Sequence, residues 1–138
     1  MNIWFNVNLW RNVEIIRDYK KEDELFKYLE LSKNEEYNLI NRNHRPRVRN
    51  DGQPIKVDNG FRNVNMNIIE GYSLIDWIGV MVNAKSIHTV ATSILFVMEV
   101  IDEMPEDIHI YKRCNEKANS LWDHTDYAYL FNKDYIYH

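Results

Sequence analysis

Between Tyr72 and Arg113 the apolar positions alternate between broad helical stripes and short continuous runs. Leu74, Ile75, Ile78, Val80, Met81 and Val82 predict a helix over 73–84, after the break at Gly71. Ser86–Val90 predicts a short strand, and Thr92–Ile101 a helix apolar on most sides, as a central helix is. Pro105 breaks the chain beyond that helix, and Ile108–Tyr111 predicts another strand. Upstream, Asp18 is a candidate N-cap, Glu22–Glu24 enrich the first turns in acid, and Leu25, Phe26 and Leu29 form a stripe, predicting a helix over 18–31. Tyr37–Asn41 reads as a buried strand and Val64–Asn67, extendable to Ile69, as a second. Residues 42–60 hold four arginines, two prolines and two glycines without periodicity, which predicts a long loop with a candidate hairpin at Asp51-Gly52.

Strands alternating with helical crossovers imply parallel pairing covered on both faces. The expectation is an α/β, three-layer Rossmann-like domain of about four parallel strands with flanking helices. Its 138 residues suit one domain: an N-terminal arm over 1–16, an α/β core over 17–113 and an aromatic C-terminal tail over 114–138. Trp4 and Trp10 argue that the arm is docked. The tail, with Trp122, Tyr127, Tyr129, Phe131, Tyr135 and Tyr137, reads as a helix or turn near 116–121 and extended chain after it. Its rings could stack on a nucleobase, but covering the sheet edge or building a dimer interface is the favoured role.

The formal charge of −4 gives no basic field for nucleic acid, no apolar run is long enough to span a membrane, and the N-terminus has no leader pattern. A cytoplasmic location is expected, the host cytoplasm for a viral protein. The single cysteine, Cys114, excludes an intrachain disulfide, and no histidine–carboxylate spacing predicts a metal, His124 and Asp126 being suggestive only. No cofactor is expected.

In such sheets ligands bind beyond the carboxyl ends of the strands. A strand running through a Thr/Ser turn into a helix presents free amides and the helix dipole to an anion. Thr89, Thr92 and Ser93 are therefore candidate phosphate ligands, the plain alternative being an N-cap. Arg42, nearest a strand end, could clamp a pyrophosphate or belong to a solvated loop, and Arg113 could do the same or pair with a helix carboxylate. His88 is a candidate ligand contact or base, or a hydrogen-bonded core histidine. Glu99, in an apolar helix, reads as structural, and Asp76 as an acceptor from a neighbouring loop or a cap.

The run Asn83-Ala84-Lys85-Ser86-Ile87-His88-Thr89-Val90-Ala91-Thr92-Ser93, with Arg17–Phe26 before it and Ile108–Arg113 after it, resembles the C-terminal half of GT-B glycosyltransferase-like proteins of viruses, phages and bacteria. The resemblance covers residues 17–113. It implies a donor half that binds a nucleotide-diphosphate sugar at the 89–93 turn, with Thr92, Ser93 and Arg113 stabilising the departing diphosphate. The acceptor half is missing, so another chain, as a complementary subunit or a homodimer partner, would supply it. No catalytic base is identifiable. The alternative is a non-catalytic nucleotide-binding or protein-interaction and assembly module derived from such a half.

Overall fold

The structure, a computed structural model, describes residues 13–43, 55–112 and 130–138. Residues 1–12 of the N-terminal arm, Arg45, Arg47, Arg49, the candidate hairpin, Arg113, Cys114, the 116–121 segment, Trp122, His124, Asp126, Tyr127 and Tyr129 lie outside the described residues.

The order is α1 (Tyr19–Tyr28), β1 (Tyr37–Asn41), β2 (Arg62–Asn65), a 3-10 turn (Leu74–Trp77) running into α2 (Ile78–Val82), β3 (Ser86–Val90), α3 (Ile94–Val100), β4 (Ile108–Tyr111) and β5 (Ile136–Tyr137). The strands form one parallel sheet in the order β2-β1-β3-β4-β5. The α/β Rossmann-like expectation holds, with five strands rather than four. The fifth comes from the tail, where Ile136 and Tyr137 pair with His109 and Ile110. β2 also starts earlier than the sequence suggests. Its register with β1 begins at Arg62, and Ile68, which reads as a strand residue, is 83% exposed.

Local chemistry explains the helix ends. Asp18 accepts from the Lys21 amide at 3.1 Å and starts α1. At its end Leu31 N donates to Phe26 O and Glu30 N to Lys27 O, a Schellman pair with Glu30 in the left-handed region at φ 57°. Asp76 accepts from the Ser73 amide at 2.8 Å and so holds the entry to the 3-10 turn. The bidentate pair Arg17–Glu22, at 2.6 and 2.9 Å, lies against Gly79, where a Cβ would come within 3.0 Å of the Glu22 Cβ. Only glycine lets α1 and α2 approach this closely without a shift.

Strand alternation sorts the sheet into two unlike faces. Tyr37, Leu39, Val64, Ile87, Ile108 and Ile110 pack with Leu25, Phe26, Ile78, Met81, Ile94 and Met98 of the three helices in one main core. Ile40, Val90 and Tyr111 lie on the second face with Ile55 and Val57. Apart from Ile136 at the sheet edge, the strand residues on the rest of that second face are polar. Tyr37 ties the layers together, its fully buried hydroxyl donating to Val80 O near the end of α2. Burial pushes the Tyr37 phenol pKa upward, so it stays a donor at all ordinary pH. Tyr37→Phe leaves that carbonyl orphaned and is expected to lower stability by about 1 kcal/mol, read from urea unfolding midpoints at constant slope.

The described part of the tail covers the core and the sheet edge, as its composition suggests. Tyr135 is buried, and Phe131 stacks edge-on with Phe96 at 5.5 Å and with Tyr135 at 6.1 Å.

Candidate functional site

The strand order creates one topological switch point. β1 and β3 are neighbours, but the chain leaves β1 toward β2 on one side and leaves β3 toward β4 on the other. Diverging connections open a crevice beyond the carboxyl ends of such a strand pair. Two short segments border it here: Asn41-Arg42-Asn43 after β1 and Ala91-Thr92-Ser93 after β3.

The two strand ends are pinned to each other. Asn41 Nδ2 donates to Thr89 Oγ1 at 3.0 Å, while Thr89 Oγ1 donates to Val90 O at 2.8 Å. Both side chains are buried, so the Thr89 hydroxyl is committed to the strand pair. Asn41 Oδ1 accepts from the Asn43 amide at 3.1 Å, which turns the chain. Asn43 Nδ2 in turn donates to Met66 O at 2.6 Å, tying the end of β1 to the chain leaving β2.

Thr92 is half-buried and Ser93 exposed, at the start of α3. Ile94 N lies 3.5 Å from Thr92 Oγ1, at the limit of a hydrogen bond. Ser93 makes no side-chain cap to the helix. Of the three predicted hydroxyls, these two remain at the crevice. Arg42 follows Asn41, but its guanidinium turns toward the second face, donating to Asn65 Oδ1 and Ile55 O at 2.7 Å each. Those bonds occupy two of its five N–H groups. Arg42 thus ties the end of β1 to Asn65 and Ile55. Arg113 lies outside the described residues.

His88 stands elsewhere. It points from the middle of β3 onto the second face, into a hydrogen-bonded row that crosses four strands. The Ser86 hydroxyl gives its one proton to Asn38 Oδ1 at 2.7 Å, so His88 Nε2, 3.0 Å from Ser86 Oγ, must be the donor there. His88 Nδ1 then accepts from the Tyr111 hydroxyl at 3.3 Å. Asn38 Nδ2 donates to Asn59 Oδ1 and Asn63 Oδ1 at 2.8 and 2.9 Å, and Asn63 Nδ2 to Val57 O at 3.0 Å. Asn38, Ser86, His88 and Tyr111 are all buried, and the direction of the row fixes the neutral Nε2–H tautomer. Burial, and next the charge of His109, lower the His88 pKa to about 4. The core-histidine alternative describes this environment. Sequence reading missed the row's other members, whose signal is the repeated polar residue at every second position: Ser86 and His88 on β3, His109 and Tyr111 on β4.

A groove of about 560 Å³ lies at the opposite end of the sheet, where Met104, Glu106 and Ile108 lead into β4. Lys133 lines it, but its ammonium is engaged with Met98 O and Ile101 O at the end of α3. Burial lowers the Lys133 pKa, with Glu99 opposing. Among the described residues no group of three or more His, Cys, Asp or Glu is arranged to hold a metal, and no helix is long and apolar enough to cross a membrane.

No family model, no curated protein and no solved structure matches this chain.

Proposed function

We propose that this domain binds a phosphorylated ligand in the crevice between the ends of β1 and β3, and that the ligand is a nucleotide or nucleotide-diphosphate sugar. The observation that carries the proposal is the strand order, because it puts the Thr/Ser turn picked out in the sequence at the sheet's switch point. The hydroxyls of Thr92 and Ser93 would hydrogen-bond phosphate oxygens, with the segment Asn41-Arg42-Asn43 forming the opposite wall. The resemblance of residues 17–113 to a GT-B donor half supplies the finer ligand class, and with it sugar transfer once a second chain completes the cleft.

A non-catalytic binding module is the second reading, and one observation favours it. His88, the imidazole nearest the turn in sequence, is locked on the other face as a neutral donor–acceptor, and Thr89 is committed to Asn41. Neither can serve as a base at the crevice.

Thermal denaturation against nucleotides, nucleotide sugars and inorganic phosphate tests both readings. A ligand specific to the folded chain is expected to add about 2.7 kcal/mol of stability at a hundred times its dissociation constant. Thr92→Ala/Ser93→Ala is expected to cut that gain by more than half while leaving the unliganded midpoint within about 2 °C, since neither side chain is fully buried and Ser93 makes no side-chain cap to α3. A shift untouched by the double substitution would move the site away from this turn. Donor hydrolysis or transfer, with and without a second chain, separates enzyme from binder.

A further inference from the structure

Three imidazoles stand in a row on the second face of the sheet, outside the crevice. His88 and His109 are paired in register across β3 and β4, their rings stacked 4.4 Å apart and 10° from parallel. His138, just past β5, lies 5.1 Å from His109 and stacks on Tyr111 at 4.2 Å and 2°. His109 bonds at both nitrogens. Nε2 is 2.8 Å from Asp107 Oδ1, and Nδ1 is 2.8 Å from His138 Nε2.

Proton counting shows what this arrangement tolerates. The carboxylate accepts, so His109 Nε2 carries a hydrogen. One proton must then lie in the gap between His109 Nδ1 and His138 Nε2. With both rings neutral, His138 donates. If the pair gains one proton, His109 becomes the cationic donor, Asp107 balances its charge, and His138 moves its own hydrogen to Nδ1. The bond survives. A second added proton puts N–H against N–H at 2.8 Å, with two cations side by side and His88 stacked behind them. No hydrogen bond is possible in that state.

The element at stake is short. β5 has two residues in the ladder, Tyr137 packs against the main core and the ring of Tyr135, and beyond the ladder His138 N donates to Ile110 O at 2.9 Å. Immediately before it, Tyr135 is buried and its hydroxyl donates to Glu99, which anchors the chain where residues 136–138 begin. The charged and titratable groups facing the row are Asp107, just before β4, Tyr111 on β4 and His88 on β3. Lys56, in the segment over this face, is exposed to solvent. Tyr111 stays neutral, because burial raises its pKa.

We propose that this row is an acid-operated latch: residues 136–138 stay on the edge of β4 while one proton lies between His109 and His138, and are released when both facing nitrogens are protonated. Release would expose the main-chain edge of β4 from His109 to Tyr111, an unpaired strand of the kind that adds a further strand from a partner.

The test is amide exchange of the full chain by NMR at about pH 7.5 and about pH 4.5. Each protection factor is taken against the unstructured rate at the same pH. The His138 amide is expected to lose protection at least tenfold relative to the Ile87 amide, which bonds Asp107 O in the middle of the sheet. Measuring against Ile87 separates local release from global unfolding. His138→Gln can still donate to His109 but cannot take a second proton, so its residue-138 amide is expected to keep its protection in acid. Should that variant fail to hold β5 at neutral pH, ring nitrogen shifts of the unmodified chain decide. Doubly protonated His109 and His138 with the 138 amide still protected would overturn the latch, as would an equal acid loss in His138→Gln.

Discussion

Glu99→Ala is expected to destabilise the protein by about 3 kcal/mol and to loosen the C-terminal segment first. Glu99 sits in the last turn of α3 and is buried, an arrangement a carboxylate accepts only when its oxygens are occupied. They are. Oε1 accepts from the Asn132 amide at 2.6 Å, and Oε2 from the Tyr135 hydroxyl at 2.8 Å with the Lys133 amide at 3.5 Å. Lys133 answers by donating its ammonium to Met98 O and Ile101 O, two of the carbonyls that the end of α3 leaves without helical partners. Helix and tail therefore satisfy each other. Truncation at Glu99 orphans a buried phenol and a backbone amide, each costing roughly 1–2 kcal/mol, and removes the carboxylate that supports the Lys133 charge. Urea unfolding gives the total, and amide exchange should show residues 132–137 opening before β3. Glu99→Leu combined with Tyr135→Phe removes both polar partners and should recover about half of the loss. A Glu99→Ala chain within about 0.5 kcal/mol of the parent would mean the bonds to the tail contribute nothing net.

That staple also shows what a sequence can and cannot disclose. A glutamate inside Ile94-Leu-Phe-Val-Met-Glu-Val100 must be paired or at the helix edge, because burying a lone charge is costly. Its partners lie more than thirty positions away, and no local pattern names them. The same division holds for the strands. β1, β3 and β4 are short runs bounded by turn residues, and their bounds match the structure. β2 misleads because apolar Met66, Ile68 and Ile69 outweigh Phe61-Arg62-Asn63, yet the sheet uses Arg62. Its guanidinium is anchored on Leu29 O at 2.9 Å, on Glu30 O and on Glu35, contacts made across about thirty residues of chain. β5 hides in the aromatic tail because two ladder residues carry no periodicity.

The candidate site was half legible. A Thr/Ser turn after a central strand can be read directly, and Thr92 and Ser93 lie where it predicts. That the turn borders a switch point depends on strand order, which only long-range pairing decides. Side-chain direction follows from strand parity. Arg42 shares parity with Asn38 and Ile40, and His88 with Ser86, so both belong to the second face, whereas Thr89 follows Ile87 onto the helical face. The expectation that parallel strands are apolar on both faces concealed the row through Asn38, Ser86 and His88. A sheet can bury polar side chains there because each one completes its neighbour's hydrogen bonds.

His88 makes the stability of the whole fold depend on pH, with a sign set by its depressed pKa. In the unfolded chain an imidazole binds its second proton near 6.5, whereas in the folded chain burial, and then His109, hold that event down to about 4, Asp107 partly opposing. Between those values the unfolded state carries more protons, so acid favours unfolding. The contribution from His88 is fully present above about pH 6.5 and is lost as the pH falls through 4, by at most about 3 kcal/mol at 1.36 kcal/mol per pH unit. Geometry gives the same answer as charge. The added proton lands on Nδ1, where the Tyr111 hydroxyl now donates, beside a ring stacked at 4.4 Å. Unfolding free energies at about pH 7.5, 6.0 and 4.5, compared between the parent and His88→Gln, isolate this group from carboxylates that titrate lower. The variant should be less stable at neutral pH by about 1–2 kcal/mol, because glutamine cannot bridge Ser86 and Tyr111 in the same geometry. It should also lose most of the slope between about pH 6 and 4.5, so that the two curves converge in acid. Parallel curves for the two chains would show that His88 titrates alike folded and unfolded, and that the polar row is open to water.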